Sequence, residues 1–189
     1  MPGNYQVKLT VAGKSMTEPL EIKMDPRVTT STADLQKQFD LSMQVRDKVT
    51  ATHDAVIQIR DLRTQFAALK KRLAGNKSAA AITAAADAID KKMSPIEEQL
   101  IQVKAKSSQD LLNFPVMLND KLLRVASDVG GADRPPTEQD YAVFKMLSGE
   151  VDAQLAKWKE IAAKDVPALN DLVRKENVPL VEVTAPRKP

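Results

Sequence analysis

Apolar and polar residues alternate one by one at the start of the chain, and then the period changes. Tyr5, Val7, Leu9 and Val11 alternate with Gln6, Lys8 and Thr10, the period of a strand with one buried face. Ala12, Gly13, Lys14 and Ser15 supply a turn, and Leu20, Ile22 and Met24 alternate again in a second strand. Asp25-Pro26 ends it, because proline has no N–H to give to a ladder. The pattern predicts a β-hairpin over residues 1–29. A lone hairpin is marginal in water, so it must dock on the rest of the chain, pair with a partner, or end a larger sheet. The opening Pro2-Gly3 favours the last of these, as a turn following an earlier strand.

From Ser31 the spacing is helical. Ser31 and Asp34 stand three apart, as in a capping box. Leu35, Phe39, Val45, Val49, Val56, Ile59, Phe66 and Leu73 then follow with no proline or glycine before Gly75. That implies a helix of roughly 40 residues, ~60 Å long, which needs partners along most of its length. Gly75-Asn76-Lys77 is a C-terminal stop. An alanine-rich second helix runs from about Ser78 to Lys104, with a kink or short break expected at Ser94-Pro95. Ser107 and Asp110 open a third helix carrying Leu111, Leu112, Val116, Leu118, Leu122, Leu123 and Val125, with Pro115 in its first turns and Gly130-Gly131 at its end. Thr137 and Asp140 cap a fourth, whose stripe is Tyr141, Phe144, Leu147, Val151, Leu155, Trp158, Ile161 and Ala162. Pro167 interrupts it before a last stretch with Leu169, Leu172 and Val173. The expected fold is mainly α: an elongated antiparallel bundle of about four helices over residues 30–178, behind the hairpin. Residues 179–189 form an extended tail, poorly ordered at its end.

Composition supports this reading. The chain has 189 residues, 43% hydrophobic and only 4% aromatic, rich in residues that lose little side-chain freedom in a helix. A net charge of +3 with 28 basic and 25 acidic residues, spread along the chain, does not by itself argue for nucleic acid or an anionic membrane. The absence of cysteine excludes disulfides, thiolate metal sites and a cysteine nucleophile. No apolar run approaches the ~20 residues of a membrane span, and MPGNYQVKL lacks the charged start and apolar stretch of a signal peptide.

No constellation of residues points to chemistry, so no catalytic, cofactor-binding or metal-binding residue is assigned and no cofactor is expected. His53 is the only histidine, and its neighbour Asp54 cannot face it on a helix. Asp40, Asp47, Glu97, Glu98, Asp152 and Asp165 sit in lysine-rich helical contexts and read as solvated faces. A di-metal site in a bundle needs Glu-x-x-His, which does not occur. Glycine-rich phosphate loops are absent. The runs Lys70-Lys71-Arg72 and Lys91-Lys92 are short and read as solvated helix ends. Trp158 reads as core, with a partner-binding hot spot as the alternative. Asn113, Asn119 and Asn170 are possible polar anchors between helices.

Taken together, PGNYQVKLTVAGKSMTEPLEIKMDPRV and the segment from Leu111 to Val181, with its LNFPVMLNDKL and DVPALNDLVR stretches, resemble the C-terminal region of bacterial sortilin-like proteins. Those carry BNR/Asp-box β-propellers and are often labelled glycosyl hydrolases. The first segment looks like the end of a β-sandwich and the rest like the helical tail that succeeds it. Asp-box repeats (SxDxGxTW) are absent here, and no family catalytic residue maps onto this sequence. The resemblance implies export to the periplasm or beyond, and a non-enzymatic docking or scaffolding role beside a propeller or sandwich region, in cis or in a partner chain. Tyr5, Val7, Leu9 and Trp158 are the candidate partner-binding residues. Two alternatives stay open. One is an accessory part of a glycoside-processing enzyme whose active site lies elsewhere. The other is a helical binder of nucleic acid or anionic surfaces. Homo-oligomerisation is compatible with all three.

Overall fold

A computed structural model describes residues 1–76, 79–176 and 179–185. The chain is mainly α, with an N-terminal two-stranded antiparallel hairpin. Strands β1 (Gly3–Val11) and β2 (Lys14–Ile22) are joined by Ala12 and Gly13 alone. Both turn residues have positive φ, 49° and 79°. This is the two-residue turn whose twist matches that of the strands. Lys14 and Ser15 therefore belong to β2 and not to the turn.

Helix α1 (Thr32–Arg72) is 41 residues long. Its start is secured by Ser31, whose hydroxyl accepts from the Asp34 amide at 3.1 Å. Past its end, Gly75 takes a left-handed φ of 87°. Its buried stripe is Leu35, Leu41, Val45, Thr52, Ala55, Val56, Ile59, Leu62, Phe66 and Leu69. Phe39, expected in that stripe, is exposed. Thr52 takes a core place because its hydroxyl donates to the Lys48 carbonyl at 2.8 Å, leaving only its methyl to be packed.

Helix α2 (Ala79–Leu100) runs through Pro95 without a break; its expected first residue, Ser78, lies outside the described residues. A short break at Pro95 is avoided because the same turn is anchored on α1. Met93, Ile96 and Leu100 are buried there, and Glu97 accepts from Arg60 at 2.6 Å and from Arg63. The third helix starts later than its pattern suggests. Ser107 and Asp110 do form a capping box, but it closes only a 3₁₀ turn at Ser108–Leu112. Leu112 is 87% exposed. Helix α3 (Leu118–Gly130) begins beyond Pro115, a residue that disfavours helix in the residue before it.

Helix α4 (Glu138–Glu160) opens on a reciprocal Thr137–Asp140 capping box. Pro167 does not break the helical path. A π-turn at Ile161–Asp165, in which the Val166 amide reaches the Ile161 carbonyl, leads into α5 (Val166–Arg174) with the backbone still helical. The wider turn takes up an extra residue just ahead of the proline, where the regular ladder would lose a donor anyway.

These helices lie along three tracks. Helix α2 runs antiparallel to α1, as the descending pairs Lys70–Asp87, Arg63–Asp90 and Arg60–Glu97 require. After the 3₁₀ excursion α3 continues in the same direction, so that Gln38 near the start of α1 donates to the Val129 and Ala132 carbonyls, both at 2.6 Å. Helices α4 and α5 then return parallel to α1, tied by Lys48–Asp152 at 2.7 Å and Trp158–Gln58 at 2.8 Å. One continuous apolar core runs between the tracks from Leu41 to Val181.

Candidate functional site

The hairpin is the most unusual surface of the molecule. Its register pairs Tyr5 with Leu20, Val7 with Glu18 and Leu9 with Met16. Side chains alternate across a strand, so Tyr5, Val7, Leu9 and Val11 share one face with Met16, Leu20 and Ile22. All seven are exposed, Leu9 at 61% and Met16 at 67%. Neither strand packs along any helix. Of the three fates open to the hairpin, docking on its own bundle is therefore not the one taken. At its base, Pro2, Ile22, Met24, Leu35 and Phe39 border a cleft of about 400 Å³. Beside it Asp25 accepts the Arg27 amide at 2.9 Å and the Arg27 guanidinium at 2.6 Å. These bonds hold the Asp25 carboxyl below its ordinary pKa and fix the exit of the hairpin.

The two edges of the hairpin are not equivalent. A two-residue turn makes Val11–Lys14 a hydrogen-bonded pair, and such pairs alternate with pairs whose N–H and C=O groups point outward. Counting from the turn, Gln6–Pro19 is of the outward kind. Pro19 thus costs the hairpin no internal bond, but it removes a donor from the outer edge of β2. The outer edge of β1 keeps its full set at Asn4, Gln6, Lys8 and Thr10. A strand added to this sheet finds a complete ladder only beside β1.

Trp158, the fourth candidate, is not on a free face. It is 3% exposed, and its indole N–H donates to Gln58 Oε1. Its partner Gln58 leads to a feature the sequence pattern misses. Residues 179–185 do not hang free. Val181 is buried to 1%, and Val183 packs on the core beside it. Asn170 brackets Val181, donating to its carbonyl at 2.7 Å and accepting its amide at 2.9 Å. Gln65 brackets Glu182 in the same way, both bonds at 2.7 Å. Gln58 donates to the Thr184 carbonyl at 2.9 Å. The far end of the tail, residues 186–189, lies outside the described residues. The legible signal was the recurrence of Gln58, Gln65 and Arg72 at seven-residue intervals, which puts polar groups on one face of α1.

The remaining candidate chemistry disperses. His53 is exposed on a shallow cleft with Arg60, Ser107, Asn119 and Asp120. Among the described residues no group of three His, Cys, Asp or Glu side chains comes together, and no helix is long and apolar enough to cross a membrane. Glu97, expected on a solvated face, is 3% exposed. Its charge is matched by Arg60 and Arg63. Burial lowers the Arg63 pKa, but hydrogen bonds to Asp90 and Glu97 outweigh it and hold the guanidinium above its ordinary value. Of the basic runs, Lys70 pairs with Asp87 and Lys92 with Asp165. Of the asparagines, Asn170 serves as an anchor, whereas Asn119 keeps a buried carbonyl oxygen without a protein partner. Comparison with known proteins finds no matching family model, no matching curated protein and no matching solved structure.

Proposed function

We propose that the protein is a non-catalytic interaction module whose hairpin completes the β-sheet of a sandwich or propeller region, in cis or in a partner chain. The observation that carries this reading is the set of seven exposed apolar residues on one face of the hairpin, beside a β1 edge whose outward donors and acceptors are uninterrupted by proline. Surfaces of that kind mark interaction sites, and strand addition supplies main-chain bonds for affinity and side-chain contacts for specificity. The likeness of the first segment to the end of a β-sandwich in exported sortilin-like propeller proteins supports the same partner and an exported setting. The bundle then acts as the spacer or docking body behind the hairpin. Binding of nucleic acid is disfavoured by the pairing of Lys48, Lys70 and Lys92 with acidic residues.

The test is binding to the sandwich region of a sortilin-like propeller protein, by calorimetry, with wild-type chain and a Val7→Lys/Leu9→Lys variant. Because Val7 and Leu9 are exposed on strands that do not pack along any helix, the variant keeps its helical circular dichroism. Saturable binding by the wild type, lost in the variant, is the expected result. Equal binding by both, or none by either, overturns the proposal.

A further inference from the structure

We infer that the apolar face of the hairpin stacks on the same face of a second copy of this chain, as a two-fold dimer centred on Leu9 and Met16. The dimer uses the hairpin's face, leaves the β1 edge free, and does not rest on the strand-addition reading above.

Two charges mark this face. Side chains alternate across a strand, so Lys14 and Glu18 share it with the apolar residues. They stand two residues to either side of Met16 and are paired in the ladder with Val11 and Val7. Among the described residues neither takes part in an ion pair or other interaction within its own chain. The order Lys14, Met16, Glu18 is its own complement when inverted about Met16, and a two-fold interface requires a surface of that kind.

The register follows from those charges. A two-fold axis lying across the strands at the Leu9–Met16 pair lays one hairpin antiparallel on the other. Lys14 of each copy then sits over Glu18 of the other, so the contact forms twice. The same operation stacks Leu9 and Met16 on their own counterparts and Val7 on Val11, and it sets Tyr5 and Leu20 over the turn of the other copy. Moving the axis to the Val7–Glu18 pair brings two Glu18 carboxylates together. Turning it along the strands lays Glu18 on Val7, with no charge to meet it.

The size of the face suits a dimer. The six apolar side chains so covered are exposed by 42% at Tyr5 to 67% at Met16. That is on the order of 100 Å² each, or about 600 Å² per copy and 1,200 Å² in the dimer, the lower limit of specific, stable interfaces. The stacked hairpins form a small sandwich ~10 Å between layers, with both β1 edges on one side. Each turn lies about 10 Å beyond the axis, whereas the Gly3–Ile22 end lies about 20 Å before it, at about 3.4 Å per residue. The tip of one hairpin therefore stops short of the other bundle, and neither strand has a helix packed along it to block the approach.

Sedimentation equilibrium of the full chain tests the dimer, with Lys14→Glu and Glu18→Lys as variants. Both positions are exposed on strands that pack along no helix, so each variant keeps its helical circular dichroism. The wild type is expected to dimerise at micromolar concentration. Either single replacement turns both ion pairs into like-charge contacts and should weaken the dimer about ten-fold. An equimolar mixture of the two single variants restores opposite charges across the axis, as does the double replacement, and each should return to within about three-fold of wild type. A wild type that stays monomeric at about 200 µM overturns the proposal, as do single variants that dimerise as tightly as wild type, or a mixture no tighter than its components. A monomeric wild type that still binds a sandwich region overturns the dimer alone, and a dimer that binds none overturns the strand-addition reading alone.

Discussion

Replacing Glu97 by alanine probes a buried charge cluster that locks α2 onto α1. The Glu97 side chain is 4% exposed and accepts from Arg60 and Arg63. A hydrogen bond to a charged group contributes about 1.5–3 kcal/mol when sheltered. The Arg60 side chain is 56% exposed, so its bond is screened and counts for less than ~1 kcal/mol. Arg63 is 30% exposed and keeps Asp90 and Ser94 as partners after the change, so it is weakened and not orphaned. The expected loss is about 2–3 kcal/mol, below the ~3–5 typical of a fully buried broken pair. With a urea slope of about 2 kcal/mol/M this moves the unfolding midpoint down by ~1 M. Glu97→Gln, which keeps the shape and an acceptor, should lose about half as much. The double replacement Arg63→Met/Glu97→Leu should return to within ~1 kcal/mol of wild type, since matched apolar groups substitute well for a buried pair. A midpoint shift under ~0.2 M for Glu97→Ala at unchanged slope would refute the reasoning, by showing the cluster to be solvent-screened throughout.

Two further outcomes concern the helices. Pro95→Ala restores an N–H to the exposed face of α2 in a helix that is already continuous, so it should raise stability by about 1–2 kcal/mol, read as a higher thermal midpoint; a lower midpoint would mean the proline ring is needed for packing. Asp140 is held below its ordinary pKa of 3.8 chiefly by the Thr137 amide, which with the Thr137 hydroxyl and Arg134 outweighs the opposing effect of burial. A lowered folded-state value means its stabilising contribution is complete above 3.8 and fades as pH falls through the folded-state value. The stability gap between wild type and Asp140→Asn should accordingly be flat from about pH 5 to 8 and close below about pH 4, and a gap that widens on acidification would contradict the capping role.

The sequence by itself determined the fold class, the hairpin, both ends of α1 and the start of α4. Local rules govern these. Alternation over Tyr5–Val11, a serine or threonine cap three residues before an aspartate, and an unbroken helical stripe ending at Gly75 each decide a structure within a few residues of themselves. What the tertiary structure decided were the points where a local signal met a distant partner. Pro95 reads as a break, yet α2 continues because Glu97 and Ile96 are held by α1. Glu97 reads as a solvated carboxylate, yet Arg60 and Arg63, more than thirty residues earlier, make its burial tolerable. Pro167 reads as a stop and is absorbed by a π-turn. The tail reads as extended, and it is, but only α1 and α5 together supply the amides that bind it. The same difference explains the exposed hairpin and the docked tail. The apolar face of the hairpin is visible in the alternation of its residues. That no helix covers it, and that a groove elsewhere grips Val181 and Glu182, depends on groups that meet only once the three tracks are assembled.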